Sequence, residues 1–507
     1  MTLGSPTAWL DGVLGRVTMY RLVLYGLAVL FVAALVFTGL GVVSPGADVV
    51  GMLVSAIALV GVGLLANRLF ALVFRVRPHT ESALITAGLL FFILPPRSTP
   101  DGVAILALAA VIAMASKYLL AIRGRHVFNP AALAAFVIGL STLSFGAWWV
   151  GTPWLLPFAA VLAFLILFRT RRLPMGGVFV AVGLLVGTAQ YAFFGLPIAQ
   201  AAQLVVLSSP LVFFAGFMIT EPLTLPPRRW QQLAYAALVA TLYYVTYAFG
   251  PIHNSPEFAL LVGNLLAFLA GQRRGIRLEF VERRQLSPSS WEFDFRAVRP
   301  VRFRPGQFAE LSVPHAKTDS RGWRRVFSIA SAPGDVLRFG IRLPERASSF
   351  KRALLALEPG AHVSATGVGG DFLLPGTAST PLLLVAGGIG ITPFVGHLEE
   401  AAAAGEARDI AVVYAVSSLD DLAYADRLRA AGCRVAVASP ARPDELPVGW
   451  SWIGPDRLSG DALLAAVPDA ARRAVYLSGP PSMVAALKRT LRRAGVRRIH
   501  TDVFVGY

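Results

Sequence analysis

The first 270 residues constrain this chain most, because apolar stretches of bilayer length follow one another there with almost no internal charge. Inside hydrocarbon every backbone N–H and C=O must be bonded within the protein, so such stretches fold as helices. Ten segments are predicted, at 20–42, 49–67, 81–95, 102–120, 130–149, 153–168, 175–194, 203–220, 230–249 and 256–271. The third and sixth are short, near the lower limit of about 17 residues for a span, and are expected to be broken or tilted. The bulk figures agree. The chain of 507 residues is 55% hydrophobic and 15% charged, with a mean hydropathy of +0.63, which reads as an integral membrane protein.

Charge placement gives the orientation. The two ends of the apolar region and its even-numbered connections carry fifteen Lys and Arg residues, among them Arg16, Arg77, Lys117, Arg123, Arg172, Arg229, Arg273 and Arg274. The odd-numbered connections carry only Arg97. Basic residues collect on the cytoplasmic side, so both termini are expected in the cytoplasm of a multi-pass cell-membrane protein. The same bias accounts for much of the net charge of +17, and no nucleic-acid partner is expected. One cysteine, Cys433, excludes a disulfide framework and a protein-held iron–sulfur cluster. The first apolar run is long enough to span and has no small-x-small site after it, so no cleaved leader is expected.

The apolar region repeats itself. ILPPRSTP at 93–100 answers TEPLTLPPRRW at 220–230, and FNPAAL at 128–133 answers NSPEFAL at 254–260. Corresponding parts lie five spans apart, an odd number, so the halves are expected to run through the membrane in opposite senses, with a binding site near the midplane. Asn129-Pro130 reads locally as a helix cap followed by Pro at the first helical position. His79, His126 and His253 all fall in connections, which excludes paired axial ligands for an intramembrane haem. Glu81, Asp101, Glu221 and Glu257 sit near span ends, leaving no mid-span carboxylate as a sign of an ion path. Lys117 is expected to snorkel outward. Taken with SALITAGLLFFILPP, the run from Ser116 to Leu133, FFAGFMITEP and EFALLVGN, these motifs resemble the B subunit of sodium-pumping NADH:quinone reductase and the D subunit of the Rnf complex. That family carries covalent FMN on an S-G-A-T-like loop. Here the corresponding connection is GTP at 151–153, so the resemblance implies at most a second, non-covalent flavin among the helices.

Past residue 275 the pattern changes twice. Short strand-like stretches punctuated by Gly and Pro run to about 375: LEFVERRQL, WEFDFRAV, FRPGQFAELSV, RVFSIAS, LRFGIRL and AHVSATGV. They read as a small antiparallel barrel. From Pro381 strands and helices alternate, with strands LLLVAG, DIAVVYAV, CRVAVAS, AVYLSG and RIHTDVF and helices at 392–404, 420–431, 460–466 and 481–494. That is a doubly wound parallel sheet. The expected architecture is therefore a ten-helix, inverted five-plus-five transmembrane domain at 1–275, an antiparallel β-barrel at 276–375, and an α/β nucleotide domain at 376–507. AGGIGITP at 386–393 closes the first parallel strand and opens its helix, the usual place for dinucleotide phosphates. SGPPSM at 478–483 closes a second strand whose loop converges on the same crevice.

The ordered set RVFSIAS, SSFK, VGGDF, AGGIGITP, SGPPSM and a final DVFVGY resembles the ferredoxin–NADP reductase superfamily. The resemblance implies FAD in the barrel and NAD(P)H on the parallel sheet. It implies Arg325 on the pyrophosphate, Phe327 against the isoalloxazine, Ser328 near its reacting nitrogen, and Ser348, Ser349 and Phe350 around the diphosphate. Gly387, Gly388, Gly390 and Thr392 would hold the dinucleotide, with Gly479, Pro480 and Met483 facing them. Ser478 stands where the family has Cys beside the nicotinamide, and Phe504 or Tyr507 would cover the flavin. SSLDD at 417–421 offers no Arg for a 2′-phosphate, a lean towards NADH. The expected activity is transmembrane NAD(P)H oxidation: hydride to FAD, then single electrons into the helices towards an extracytoplasmic or membrane acceptor, an extracytoplasmic flavoprotein or quinone. The alternatives are a membrane-bound NAD(P)H:quinone reductase and a transporter with a redox-sensing flavodomain.

Overall fold

The computed structural model describes residues 17–504 together with Leu10 and Leu14, except 45, 77, 123–124, 271–275, 316–322, 344–346, 366–367, 407, 443–444 and 455–457. Arg16, Arg77, Arg123, Arg273 and Arg274 of the orientation argument, and Tyr507, thus lie outside the described residues. The chain divides into two compact units, Val17–Gln272 and one made up chiefly of Arg273–Tyr507.

The first unit is helical. Its elements are α1 Met19–Gly39, α2 Val49–Val73, α3 Thr80–Ile93, α4 Pro100–Leu119, a hairpin of β1 Ala121–Ile122 and β2 Arg125–His126, α5 Pro130–Leu140, α6 Leu156–Arg169, α7 Leu173–Phe193, α8 Ile198–Leu207, α9 Leu211–Phe213 with a π-helical turn Phe214–Met218, α10 Arg229–Tyr244, a second hairpin of β3 Ala248–Phe249 and β4 Ile252–His253, and α11 Pro256–Leu269. Helices stand at all ten predicted positions, yet among the described residues only α1, α2, α4 and α7 are by themselves long and apolar enough to cross a membrane. Ile198–Leu207 and Leu211–Met218 qualify as a fifth span only jointly, across a bend of 52°. Ten full-length spans are therefore not what the structure displays. The reason is local: Pro95-Pro96 follows α3, a turn at Ser141 ends α5, and Pro210 interrupts the α8–α9 run. Proline removes a helix donor and clashes with the preceding turn.

The two halves share one element order and one packing scheme. α2 packs on α4 as α7 packs on α10, α4 on α5 as α10 on α11, and α5 meets α11 between the halves. A hairpin precedes a Pro-initiated helix in each half, capped by Asn129 in one and Ser255 in the other. Asn129 does more than cap. Its side chain accepts from Ala131 N and Ala132 N, while its own N–H donates to Asn264 Oδ1 at 2.8 Å, and Asn264 Nδ2 donates to Tyr235 Oη at 3.1 Å. His126 Nε2 lies 2.7 Å from Glu221 Oε1, a second link between the halves. Glu257, in the first turn of α11, is buried and accepts from Trp148 Nε1 at 2.8 Å. Lys117 turns inward to Ser82 O and Oγ, at 2.9 and 3.0 Å, instead of reaching outward. A buried carbonyl and hydroxyl supply the acceptors that snorkelling would otherwise seek in water.

The second unit begins with a six-stranded antiparallel sheet in the order β8-β7-β10-β5-β6-β9. Its strands are β5 Ile276–Ser287, β6 Ser290–Ala297, β7 Phe308–Ser312, β8 Arg324–Ser328, β9 Val336–Arg342 and β10 His362–Ala365, with α12 Ser349–Leu355 between the last two. The outer strands meet where Ala330 N donates to Arg338 O at 2.8 Å, which closes the sheet round a core of Phe280, Phe293, Phe295 and Phe339. Alternation of buried and more exposed positions along β7 and β10 fits a barrel wall.

A parallel sheet follows in the order β14-β13-β12-β11-β15-β16. Its elements are β11 Leu382–Gly387, α13 Thr392–Ala403, β12 Ile410–Ala415, α14 Ala425–Ala430, β13 Arg434–Ala438, β14 Trp450–Trp452, α15 Gly460–Ala466, β15 Ala474–Gly479, α16 Pro481–Arg493 and β16 Ile499–Val503. β11 and β15 read as unbroken apolar runs because helices cover both faces. The edge strand β14 has no counterpart in the sequence reading. The helix predicted at 420–431 is shortened to α14, since Tyr424 adopts φ +63° and breaks it.

VGGDF joins barrel to sheet. Gly369 bridges Phe308, Phe372 packs on Phe394 and Tyr476, and Phe372 O faces His397 Nε2 at 3.2 Å. Burial lowers the His397 pKa from 6.5 to about 4, so the folded protein holds the ring neutral. An unfolded chain takes up this proton as pH falls below its ordinary value, and the folded chain resists until about 4. Stability should therefore decline through that window by ~3 kcal/mol and level off below it. Thermal unfolding of the wild type and of His397→Gln across these pH values checks this; the variant should lose most of the slope.

Candidate functional site

The site is built where the parallel sheet changes direction. β11 has β12 on one side and β15 on the other, and in such sheets ligands bind beyond the carboxyl ends of strands at that switch. Both Gly-rich loops leave from this point. The Gly388–Ile391 turn follows β11 and leads into α13, and Gly479-Pro480 follows β15 and leads into α16. The loops touch backbone to backbone. A Cβ on Gly390 would stand 2.6 Å from Ser478 O, and one on Gly479 would stand 3.1 Å from the backbone of Gly387. Gly479 also holds φ +146°, a region closed to side chains. Met483 Sδ lies 2.7 Å from where a Gly387 Cβ would be, so Gly387, Gly388, Gly390, Gly479, Pro480 and Met483 form one wall. Thr392 is buried at the start of α13, with Oγ1 donating to Ile389 O at 3.0 Å.

Ser478 is 0% exposed, and its Oγ has no hydrogen-bond partner among the described residues. A buried hydroxyl without a partner is rare and calls for a ligand or water. In register beside it on β16 is Asp502, whose Oδ2 accepts from Ser328 Oγ on β8 at 3.5 Å. Strand pairing thus sets the sheet serine beside the residue that the barrel serine reaches. Asp502 was not singled out in the sequence; its signal was its place on the last strand, directly beside the SGPP strand. Phe504 is half-buried, and its N–H donates to Gly479 O at 3.1 Å. Across the site, burial lowers the His500 pKa against the opposing charge of Asp371, and the ring stacks on Tyr476 at 4.5 Å.

The barrel residues gather nearby on β8 and α12. The Arg325 guanidinium lies 5.3 Å over the Phe350 ring, and Nη1 donates to Arg324 O at 2.7 Å. Phe327 is only 3% exposed and packs on Phe350 at 5.8 Å, so it faces the barrel interior. Ser348 caps α12, accepting from Lys351 N at 3.4 Å, and Ser349 opens the helix. The structure therefore collects the expected residues into two groups, Arg325–Phe327–Phe350 with Ser348–Ser349, and the glycine wall with Thr392, Ser478 and Phe504. Ser328 links the two. Among the described residues no cluster of His, Cys, Asp or Glu is arranged to hold a metal.

The partnerless Ser478 hydroxyl and the glycine wall suit a nicotinamide dinucleotide, and a guanidinium beside a serine-capped turn suits a diphosphate. A family model for the oxidoreductase NAD-binding domain matches residues 384–489, most of the parallel-sheet domain. The chain is similar to the toluate 1,2-dioxygenase electron transfer component of Pseudomonas putida, 32% identical over 238 residues, covering 45% of this chain and 66% of the relative. It is also similar to the ferredoxin–NAD(P)(+) reductase component of the naphthalene 1,2-dioxygenase/salicylate 5-hydroxylase systems of a Ralstonia species, 29% identical over 215 residues, covering 41% of this chain and 62% of the relative. The chain spans less than two thirds of the length of these curated relatives. Among solved structures, Amycolatopsis cytochrome P450 reductase GcoB overlays with a TM-score of 0.39 at 26% identity, over 46% of this chain and 70% of that one.

A methyl group at Gly479 tests the wall directly. Gly479→Ala would set a Cβ 2.9 Å from Met483 Cε in a strained backbone, costing ~1–3 kcal/mol locally. The expected result is retained FAD with NADH-driven dye reduction at least about tenfold lower, a loss of ~1.4 kcal/mol or more in transition-state stabilisation.

Proposed function

We infer that the chain is a membrane-anchored, FAD-dependent NAD(P)H reductase. The observation that carries this is the convergence of Ser328, Ser478 and Asp502 beside two interlocked glycine loops at the sheet's switch point. FAD, when bound, accepts a hydride from the nicotinamide and can release its electrons one at a time. The chain's own residues bind and orient. Arg325, Ser348, Ser349 and Phe350 hold the diphosphate, with Phe327 bordering the ring site. The wall of Gly387, Gly388, Gly390 and Gly479 admits the dinucleotide backbone, and Thr392 stands at the helix start. Ser478 supplies its partnerless hydroxyl to the nicotinamide, Ser328 and Asp502 hold a proton between them at the flavin edge, and Phe504 shields the site. The name of the Ralstonia relative, a reductase component acting on a ferredoxin and NAD(P)+, supports the same direction of electron delivery.

The proposed organisation is a transmembrane domain at 1–275, an FAD barrel at 276–375 and a nucleotide domain at 376–507. In this reading both soluble domains are cytoplasmic, as the fifteen-to-one bias of basic residues supports. The helical unit passes electrons onward, in the manner of the B and D subunits it resembles, to an extracytoplasmic flavoprotein or to quinone. The mirrored packing of its halves, joined by Asn129–Asn264 and His126–Glu221, supports an inverted repeat. NADH is the preferred donor. Asp421 accepts from Ser289 and Ser417, at 2.6 and 3.0 Å, and Asp420 stands beside it, an arrangement that repels a 2′-phosphate.

Three measurements test this. Flavin counted per purified chain should give one acid-released FAD, with a second non-covalent flavin if the helices hold their own carrier; a chain that binds no flavin refutes the reading. Sealed vesicles supplied with NADH on the cytoplasmic face should reduce an impermeant acceptor on the other, whereas reduction of short-chain quinones alone would favour a reductase without transmembrane flow. NADH should exceed NADPH in kcat/KM by roughly tenfold or more, ~1.4 kcal/mol.

A further inference from the structure

A ring of six charged side chains joins barrel to nucleotide domain away from the glycine wall. Its hub is Glu292 on β6, which is 0% exposed. Glu292 Oε1 accepts from Arg284 Nη2 on β5 at 2.5 Å and from Arg427 Nη2 on α14 at 2.6 Å. Arg427 Nη1 continues to Glu399 Oε1 on α13 at 3.1 Å. Glu399 Oε2 then meets Arg338 Nη1 on β9 at 3.4 Å, and Arg338 Nε meets Asp294 Oδ2 on β6 at 3.5 Å. Burial and the neighbouring Glu292 charge raise the Asp294 pKa. Four members belong to the barrel and two to the nucleotide domain, so no single domain completes the ring.

Three further features converge on the same joint. Tyr424, the residue before α14, adopts φ +63°, a conformation a bulky residue takes only when its surroundings enforce it. Its ring lies 5.1 Å beneath the Arg427 guanidinium, and its hydroxyl faces the Glu292 carboxylate; burial together with that charge raises its pKa. A Cβ on Gly340 of β9 would fall on that hydroxyl and on Thr392, the residue that opens α13 after the Gly-rich loop. One turn on, a Cβ at Gly396 would stand 2.7 Å from Ser331 O. The barrel therefore bears on the loop-bearing helix through bare backbone, and the ring clamps that contact from the side. Arg284, the barrel's own partner for Glu292, is half-exposed. A buried carboxylate deprived of a partner is strongly unfavourable, so Arg427 is required where it stands.

We propose that this ring, with Glu292 and Arg427 as positioning residues, sets the separation between the bound nicotinamide and the flavin. The inference rests on the reductase reading above. The bond broken is nicotinamide C4–H, and its hydrogen and electron pair go to the flavin, a transfer that works only over a near-contact distance. Neither residue touches the reacting atoms. They act through the register of α13 and α14 on β6 and β9.

The test uses the full-length, FAD-loaded chain in detergent. Glu292→Gln and Arg427→Gln should each slow anaerobic flavin bleaching at saturating NADH by roughly tenfold or more per bound flavin, with the half-saturating NADH concentration changed by less than about twofold. Amide hydrogen exchange across 386–392 and 419–431 should rise by about tenfold in both, with or without NADH. The double variant should be no slower than either single one, as for two ends of one contact. If Glu292→Gln fails to retain FAD, Glu399→Gln, on the more exposed side of the ring, should show the same pattern at about threefold. Wild-type bleaching per bound flavin together with unchanged exchange in these variants would overturn the proposal. If the wild type itself is not bleached, the reductase reading fails, and the exchange comparison still decides whether the ring clamps the two domains.

Discussion

The contact between two bare backbones, Gly390 against Ser478-Gly479 and Gly387 against Gly479, is the constraint on which the barrel and the parallel sheet depend. Any side chain at Gly390 or Gly479 would force the two loops apart. Kept together, they place β11 and β15 side by side with their carboxyl ends level, and α13 and α16 start on either side of one crevice. The partnerless Ser478 hydroxyl then points to a ligand, and the register of β15 with β16 sets Asp502 beside it. The barrel enters this arrangement through Ser328 and through the VGGDF crossing. A reaction that needs two cofactors in near contact is thereby given two rigid supports with one shared edge.

The helical half answers a different constraint. In an apolar medium a polar group must find its partner inside the protein, and here the partners lie on elements distant in the chain. Asn129 and Asn264 join the Pro-initiated helices of the two halves, and His126 reaches Glu221. Glu257 is buried against the Trp148 indole, and Lys117 against Ser82. Short and bent helices accompany these contacts. Such helices leave backbone ends that side chains or other backbone must satisfy, as Trp148 N does for Ile93 O at 2.9 Å.

Much of this was legible in the residues because it rests on local rules. The barrel strands followed from alternation and turn residues, and the nucleotide domain followed from apolar runs closed by glycines. Asn129-Pro130 and Ser255-Pro256 marked helix starts. The unread parts depend on partners distant in sequence. Lys117 was assigned an outward reach because its acceptor, Ser82, is 35 residues away. Glu292 and Arg427 carry no local signal, since they are separated by 135 residues and only the packed domains bring them together. Asp502 sat in a motif already noted, yet its role follows from strand order. The shortening of the helix at 420–431 depends on a left-handed Tyr424, a conformation no propensity scale assigns to tyrosine. Full-length spans stand at only some of the ten predicted positions among the described residues, because hydropathy measures composition, whereas proline breaks decide helix length.

The most direct test is anaerobic mixing of the purified, FAD-loaded chain with one equivalent of NADH while the visible flavin spectrum is followed. The account predicts that the flavin colour is lost as NADH is consumed one for one. A flavin that keeps its colour with excess NADH, or a preparation that never takes up flavin, would contradict it.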